Sequence, residues 1–480
     1  MYGQNIPEIM YDDDIYYNEQ SSNATTTTRG LRDFHNLFVK KSLIRAVSKP
    51  GDTLIDFACG KAGDMSKWIA AGLSFVFGID VSKDNLENRI NGACSRYLNS
   101  KKQFKQMPYA LFVNGDSSKN IRTGNAIMNE KSAEVTRAVF GQGTKSVERL
   151  GKGVVRQFSK GADGFNISSC QFALHYFCET PTTFYNFIRN VAECTKIGGY
   201  FIGTCYDGLT IFKRMKTTAV NDSLVINIPG SANKKVWEVV KEYSAETLEN
   251  DTSCLGLKIN VFQETIGKLT PEYLVNFRFF TQTMEDYGFK LVSRNEARQQ
   301  LGMPDGTGLF VDLFNDMEEE AKRDEAKAIE YKNALNMAPY EKTISFLNRY
   351  FIYKKSNHID AEKLTNALLK KNAQEYVNEI VDQPVQAAEQ EPEMKEEEVA
   401  NAEVVKIKAK PRTKKLVTKL RITDLDAGVE APAAPVAEPV NSTVEPPVNS
   451  TVAPPVEIQA TVIEEPIIKL KIRKPRATKK

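Results

Sequence analysis

Residues Thr53–Gly72 read TLIDFACGKAGDMSKWIAAG. A short apolar run ends in an acid, passes through a turn of small residues and enters a helix near Asp64. That order is a strand–loop–helix unit, which holds ligands at the carboxyl edge of a sheet. As a dinucleotide fingerprint it is degenerate: Ala58, Gly60 and Gly63 give AxGxxG, and any tight turn needing small residues looks the same. Charge discriminates between ligands. A pyrophosphate favours the bare positive end of a helix. Here Asp56 precedes the turn and Asp64 opens the helix, so both repel phosphate and suit a cation.

Two further acids extend the pattern. Asp80 closes the next apolar run, FVFGID, 24 residues after Asp56, and Asp116 closes the third, ALFVNGD. An acid at the first of these positions accepts both ribose hydroxyls in many nucleoside sites, and Asp116 is placed for an adenine edge. Three acids closing successive strands are an unusual coincidence for solvated strand ends. A cationic nucleoside with sulfonium and ammonium groups, S-adenosylmethionine, fits all three.

Outward from this unit, apolar runs at Leu54–Phe57, Phe75–Asp80, Ala110–Asp116, Phe165–Phe172, Gly199–Tyr206 and Phe289–Val292 read as buried strands, mostly separated by helical stretches. The alternation predicts an α/β fold: a mostly parallel, doubly wound, Rossmann-like sheet covered on both faces. Lys119–Ala162 is a long excursion with one helical piece near Glu130–Phe140. Residues 207–270 form an insertion in which VWEVVKEY and LKINVFQETI read as extra strands. A helix is expected over Pro271–Tyr287 with proline in its first turn. A charged helix is expected over Glu318–Asn336, a closing strand at Arg349–Lys355 and an amphipathic helix over His358–Asp382.

Composition divides the 480 residues. The last aromatic is Tyr376, and Pro384–Lys480 holds twelve of the twenty prolines and a single glycine, Gly428. Such a segment cannot bury enough apolar area to offset its chain entropy. The expected organisation is a flexible arm over 1–29, a folded domain over 30–356 with the 207–270 insertion on its substrate side, a helical extension over 357–383 and a disordered tail over 384–480. Within the tail PVNSTVEP is followed directly by PVNSTVAP, an extended spacer, and KIKAKPRTKK at Lys406–Lys415 is echoed by KLKIRKPRATKK at Lys469–Lys480. These basic clusters suit RNA phosphates, a nuclear import signal or plain solvated charge. No apolar run approaches the roughly 20 residues of a membrane helix, and no secretory signal is readable. Seven cysteines without a CxxC pair point to a reduced, intracellular protein with no metal site. The two Asn-Ser-Thr sequons at Asn441 and Asn449 then read as products of the repeat. The net charge of +3 is too small to argue for or against a nucleic-acid partner.

With SCQFALHY at Ser169–Tyr176 also in view, the chain resembles the mRNA cap guanine-N7 methyltransferases, and most of all the forms carried by large DNA viruses. The resemblance spans roughly residues 31–355. The family's DLGCGKGGDLLKW appears as DFACGKAGDMSKW, its SQFxxHY as SCQFALHY, and its upstream NNFIKSxLI as NLFVKKSLI at Asn36–Ile44. PEYLV stands at Pro271–Val275, and the closing strand resembles RYFIYKK. On matching positions, the resemblance implies that Lys40 meets the cofactor carboxylate and that the Ala58–Gly60 turn, after Asp56, lies against the methionine part. It implies that Asp80 binds ribose, that Asp116 meets adenine, and that Gln171 and Tyr176 complete the pocket. On the cap side it implies that Asn36, Lys61, Lys67 and Arg96 line the path of the cap, that His175 and Glu272 read the guanine edge, and that Phe172 walls the base. Three positions depart from the family: Leu37 replaces an asparagine, Ala62 a glycine, and Asn348 the base-stacking tyrosine before the closing strand.

The implied activity is transfer of a methyl group from S-adenosyl-L-methionine to N7 of the 5′ guanine of GpppN-RNA. Guanine N7 already carries a lone pair, so no dedicated acid or base is expected; positioning and electrostatics do the work. The partners implied are capped RNA, and either other capping enzymes (a guanylyltransferase and RNA triphosphatase on other chains) or a stimulatory subunit; no membrane is expected. The compartment implied is intracellular: host cytoplasm or virion for a viral protein, or the nucleus through the basic tail. Two other readings stay open, a catalytically weak or inactive cap- or RNA-binding subunit and a methyltransferase with another substrate.

Overall fold

The computed structural model describes residues 27–230 and 234–382; the tail with its repeat and basic clusters, and the arm before Thr27, lie outside the described residues. The Thr27 carbonyl accepts from the Tyr340 hydroxyl at 2.6 Å, and the first helix is Arg29–Asp33.

Strands β1 (Thr53–Asp56), β2 (Phe75–Asp80), β3 (Tyr109–Asn114), β4 (Phe165–Gln171) and β5 (Thr195–Tyr206) lie parallel in the spatial order 3-2-1-4-5. A separate antiparallel sheet contains β6 (Ser223–Asn227), β7 (Lys235–Lys241), β8 (Lys258–Gln263) and β9 (Leu269–Tyr273). Back in the first sheet, β10 (Phe289–Leu291) and β11 (Thr307–Leu309) both pair antiparallel with β12 (Asn348–Lys355), which itself runs antiparallel to β5. The first sheet is thus mixed, where a mostly parallel one was expected. An apolar run such as that of β12 shows that both faces are buried, not which way the strand points.

Alternation along the strands feeds two cores. Ile55, Phe77, Ile79 and Phe165 pack on one face, and Leu54, Val76, Ile167 and Ile202 on the other. Each such buried side chain contributes about 1.5–3 kcal/mol relative to an exposed one. A third apolar cluster, with Trp237, Val239, Ile259 and Val261, lies under the antiparallel sheet.

Three helical expectations change. PEYLV is not helical: Pro271 and Glu272 lie on β9, and the helix is Phe277–Asp286, capped by the Asn276 side chain accepting from the Arg278 and Phe279 amides. Proline is tolerated there because β9 is an edge strand, paired only to β8. The stretch expected as one charged helix is three pieces, Phe310–Arg323, Glu325–Tyr331 and the 3-10 turn Lys332–Asn336. Asp324 is extended and ends the first while its side chain caps the second. The excursion after β3 holds more than the one helix expected: Glu130–Val139 is followed by the helical stretch Val147–Val155, which is broken at Gly151, where φ is +74°. Among the described residues no helix is long and apolar enough to cross a membrane.

Candidate active site

In the order 3-2-1-4-5 the chain leaves β1 toward one edge and returns as β4 on its other side. The crevice at the carboxyl ends of β1 and β4 is the switch point where open α/β sheets bind ligands. Asp56 ends β1, Asp80 ends β2 and Gln171 ends β4, so three predicted residues meet there. Gly60 takes a left-handed φ of +50°, and its N–H donates to Asp80 Oδ2 at 2.7 Å. Asp80 Oδ1 accepts from the Ser82 N–H at 3.0 Å and Asn85 Nδ2 at 3.2 Å. Asp80 therefore ties the glycine loop to the turn after β2. Ala58 N–H points toward Asp56 Oδ1 at 3.4 Å.

The two acids flanking the loop differ in charge. Asp64 precedes the helix Met65–Ala70 but makes no capping bond; it accepts from Lys40 at 3.2 Å and Lys67 at 2.9 Å. Burial opposes its charge, yet the two ammonium groups outweigh burial and hold the carboxyl at about 2. Lys67 also donates to the Gly63 carbonyl at 3.2 Å and to Asn36 Oδ1 at 3.4 Å, which joins Asn36, Lys40 and Lys67 in one cluster. Asp56 has no such cation. Burial first, then the Asp64 and Asp80 charges, push its carboxyl up to about 8, against the weaker pull of the Ala58 N–H and Lys40. A buried acid short of a cation fits a sulfonium or ammonium ligand.

Lys61 is buried beside this loop; its carbonyl accepts from Arg96 Nη1 at 3.1 Å, and its ammonium lies 4.0 Å from Asp84. Asp116 lies two residues beyond the end of β3, not on it. Its carboxylate accepts from the Ser118 N–H and hydroxyl and pairs with Lys119 at 3.2 Å. The strand end is Asn114, whose amide reaches the Asp80 and Val81 carbonyls. Gln171 accepts from Thr204 Oγ1 at 3.1 Å and donates to Ser169 Oγ at 3.3 Å, which fixes its orientation.

Past Gln171 the chain turns sharply. Phe172 has φ +56°, and the turn Leu174–Cys178 carries His175 and Tyr176, whose rings lie 4.2 Å apart. His175 Nδ1 lies 3.6 Å from Glu272 Oε2, contributed by β9 of the other sheet. Both side chains are buried, and His175 Nδ1, His175 Nε2 and Glu272 Oε2 have no hydrogen-bond partner. Burial lowers the imidazole to about 3 and raises the carboxyl to about 8, so at neutral pH the pair is not an ion pair.

Asn348 is not turned to this pair. Its amide nitrogen donates to the Ile344 and Ser345 carbonyls, ending the helix Pro339–Ser345. Its partner across the sheet is Tyr206. The Tyr206 hydroxyl accepts from Trp237 Nε1 at 2.9 Å and Gln263 Nε2 at 3.2 Å, and its ionisation is opposed by burial and then by Glu272. Sequence reasoning missed Tyr206, whose place at the end of a strand was its only signal. It also missed His35, which neighbours Asn36 in a motif already singled out.

The profile of the mRNA (guanine-N(7))-methyltransferase domain matches residues 14–346. A probable mRNA-capping enzyme of Acanthamoeba polyphaga mimivirus is 26% identical over 367 residues, covering 72% of this chain and 28% of the viral protein. An mRNA cap guanine-N(7) methyltransferase of Saccharomyces cerevisiae is 29% identical over 296 residues, covering 60% of this chain and 58% of the yeast protein. A protein of that description from Oryza sativa is 28% identical over 257 residues, covering 54% of this chain and 58% of its own. The chain thus spans little more than half, or less, of these relatives.

Proposed function

The chain belongs to the mRNA cap guanine-N7 methyltransferase family, and on that premise we propose that it methylates N7 of the guanine at the 5′ end of capped RNA, with S-adenosylmethionine as donor. The supporting observation is the pair His175 and Glu272, whose buried polar atoms lack partners and face one another beside the turn that follows β4. Buried polar groups are ordinarily satisfied, so an unsatisfied pair points to a ligand that satisfies it.

Guanine offers the complementary groups. The Glu272 carboxylate accepts from N1–H and N2–H₂, and these bonds strengthen as the base becomes cationic. A neutral His175 donates to O6, and Phe172 walls the base. The donor binds over Asp56, Ala58 and Gly60, with Asp80, Asp116, Gln171 and Tyr176 around its nucleoside and Lys40 released from Asp64 to its carboxylate. Bound there, it supplies an electrophilic methyl on a sulfonium. Asn36, Lys61, Lys67 and Arg96 form the positive flank along which the triphosphate bridge runs. No residue has to remove a proton from N7, and among the described residues no group of His, Cys, Asp or Glu is placed to hold a metal.

Incubation of the purified protein with labelled S-adenosylmethionine and GpppA or GpppG tests the reading. N7-methylated cap is the expected product. Cap binding without product favours the inactive cap-binding subunit, and methylation of neither dinucleotide but of another substrate favours the third reading. The tail is proposed as a tether to RNA or partner enzymes, so removing Pro384–Lys480 should leave turnover of GpppA intact.

A further inference from the structure

His35 has no part in the site as drawn so far. It lies in a π-helical turn, Phe34–Val39, between the helices Arg29–Asp33 and Lys40–Val47. In an unbroken α-helix, residues five apart point roughly 140° away from each other. The wider π-turn closes from i to i+5, and the Lys40 N–H bonds back to the His35 carbonyl, which brings the two side chains to one side. Both meet Phe172. The His35 ring stacks on the Phe172 ring at 5.1 Å with 22° between planes, and Lys40 Nζ lies 5.6 Å from the Phe172 centroid.

The stack is braced. Phe310 meets His35 edge-on at 5.1 Å and Phe172 at 6.0 Å, and His35 Nε2 lies 2.9 Å from Oγ of the buried Ser345. Phe172 itself needs bracing. Its φ of +56° is a left-handed conformation that bulky residues rarely adopt, held by the Phe172 N–H donating to the Thr204 carbonyl at 2.8 Å. Burial and the nearby Lys40 ammonium keep the imidazole uncharged near neutral pH, so it packs as a flat neutral ring.

We propose that His35 is a positioning residue for the cap: stacked on Phe172, it fixes the ring that walls the guanine. The inference rests on Phe172 being that wall. A stacked aromatic pair shifts an equilibrium by about three- to tenfold, and that is the size of effect expected on cap binding. The decisive variants are His35→Leu, which fills the space without a π face, and His35→Phe, which restores one.

Calorimetric binding of GpppA, in full-length protein, reads the effect without requiring turnover. Steady-state kcat and KM and the Kd for S-adenosylmethionine are measured alongside. His35→Leu is expected to raise the GpppA Kd and KM about three- to tenfold, with kcat and cofactor Kd changed less than about twofold, and His35→Phe to return most of that loss. Equal cap affinity in the Leu and Phe variants overturns the proposal, as does a loss shared by cofactor binding and kcat. If wild type binds GpppA without methylating it, the catalytic reading falls while the Leu-to-Phe comparison still decides the role of His35; if wild type does not bind GpppA, both fall. Ser345→Ala, which removes only the brace on Nε2, is expected to move cap affinity in the direction of His35→Leu and by less; no change in cap affinity counts against the proposal.

Discussion

His175 and Glu272 face each other at 3.6 Å from two different sheets, one on the turn after β4 and the other on the edge strand β9, and both are buried without hydrogen-bond partners on the facing atoms. Their separation along the sequence is nearly a hundred residues. The imidazole is held near 3 and the carboxyl near 8, so neither carries charge at pH 7 in the ligand-free protein.

Glu272→Ala and Glu272→Gln should each lower cap methylation more than about tenfold, because a charged acceptor to two donors is lost, while cofactor binding stays near normal. The measurement is kcat/KM on GpppA beside a cofactor titration; equal loss in both would remove Glu272 from the cap side.

Binding guanine N1–H and N2–H₂ requires the carboxylate. Since Glu272 titrates at about 8 when free, cap binding below that pH releases a proton, and affinity should rise with pH up to about 8 and then level. Glu272→Gln should abolish this slope in calorimetry. Stability has the opposite sign: a carboxyl raised from 4.5 to about 8 contributes stability below pH 4.5 that is lost as pH rises through 8. Glu272→Gln should therefore be relatively more stable than wild type at pH 8–9.

Asp80 holds the loop as well as facing the crevice. Asp80→Ala should weaken S-adenosylmethionine binding more than about tenfold, and it should also lower folding stability by about 1–3 kcal/mol, since Gly60, Ser82 and Asn85 lose their shared acceptor. Unchanged cofactor affinity in an equilibrium titration would remove Asp80 from the pocket.

Asp64→Asn leaves Lys40 and Lys67 without their common carboxylate. Breaking a largely buried pair costs about 3–5 kcal/mol, so urea unfolding should show a large drop. In the wild type the Asp64 contribution is present above pH 3.8 and lost as pH falls toward 2. A variant as stable as wild type at pH 7 would show that the cluster contributes little.

Ala62 takes a left-handed φ of +54°, a conformation that glycine adopts without strain. Ala62→Gly relieves about 1–2 kcal/mol of left-handed strain but gives up a buried methyl, about 0.8 kcal/mol, and gains unfolded-chain entropy, about 0.4–1 kcal/mol. The terms nearly cancel, so its thermal midpoint should match wild type within a few degrees and cofactor affinity should hold.

The parallel half of the sheet was legible because buried strands announce themselves as apolar runs: β2 is read from FVFGID to the residue. Asp56 and Asp80 at its edge were legible for the same reason, whereas Asp116, read as a strand end, lies two residues past Asn114, where β3 stops. PEYLV was misread because Pro and Glu suit a helix start as well as an edge strand; only pairing with β8 decides between them. The mixed direction of the sheet and the strands β6, β9 and β11 were likewise settled by partners distant in the chain.

By itself the sequence determined where the small-residue loop lies: between a strand and a helix, flanked by Asp56 and Asp64, in a region that ends well before the aromatic-free tail. Tertiary structure decided the state of those residues. Two acids eight residues apart, Asp56 and Asp64, are alike in sequence, yet Lys40 and Lys67 hold one at about 2 and burial without a cation lifts the other to about 8. His35, ordinary in sequence, becomes the support of Phe172 because a π-turn and the helix ending at Ser345 bring it there. Charge state and orientation depend on neighbours and solvent access, which the fold alone fixes.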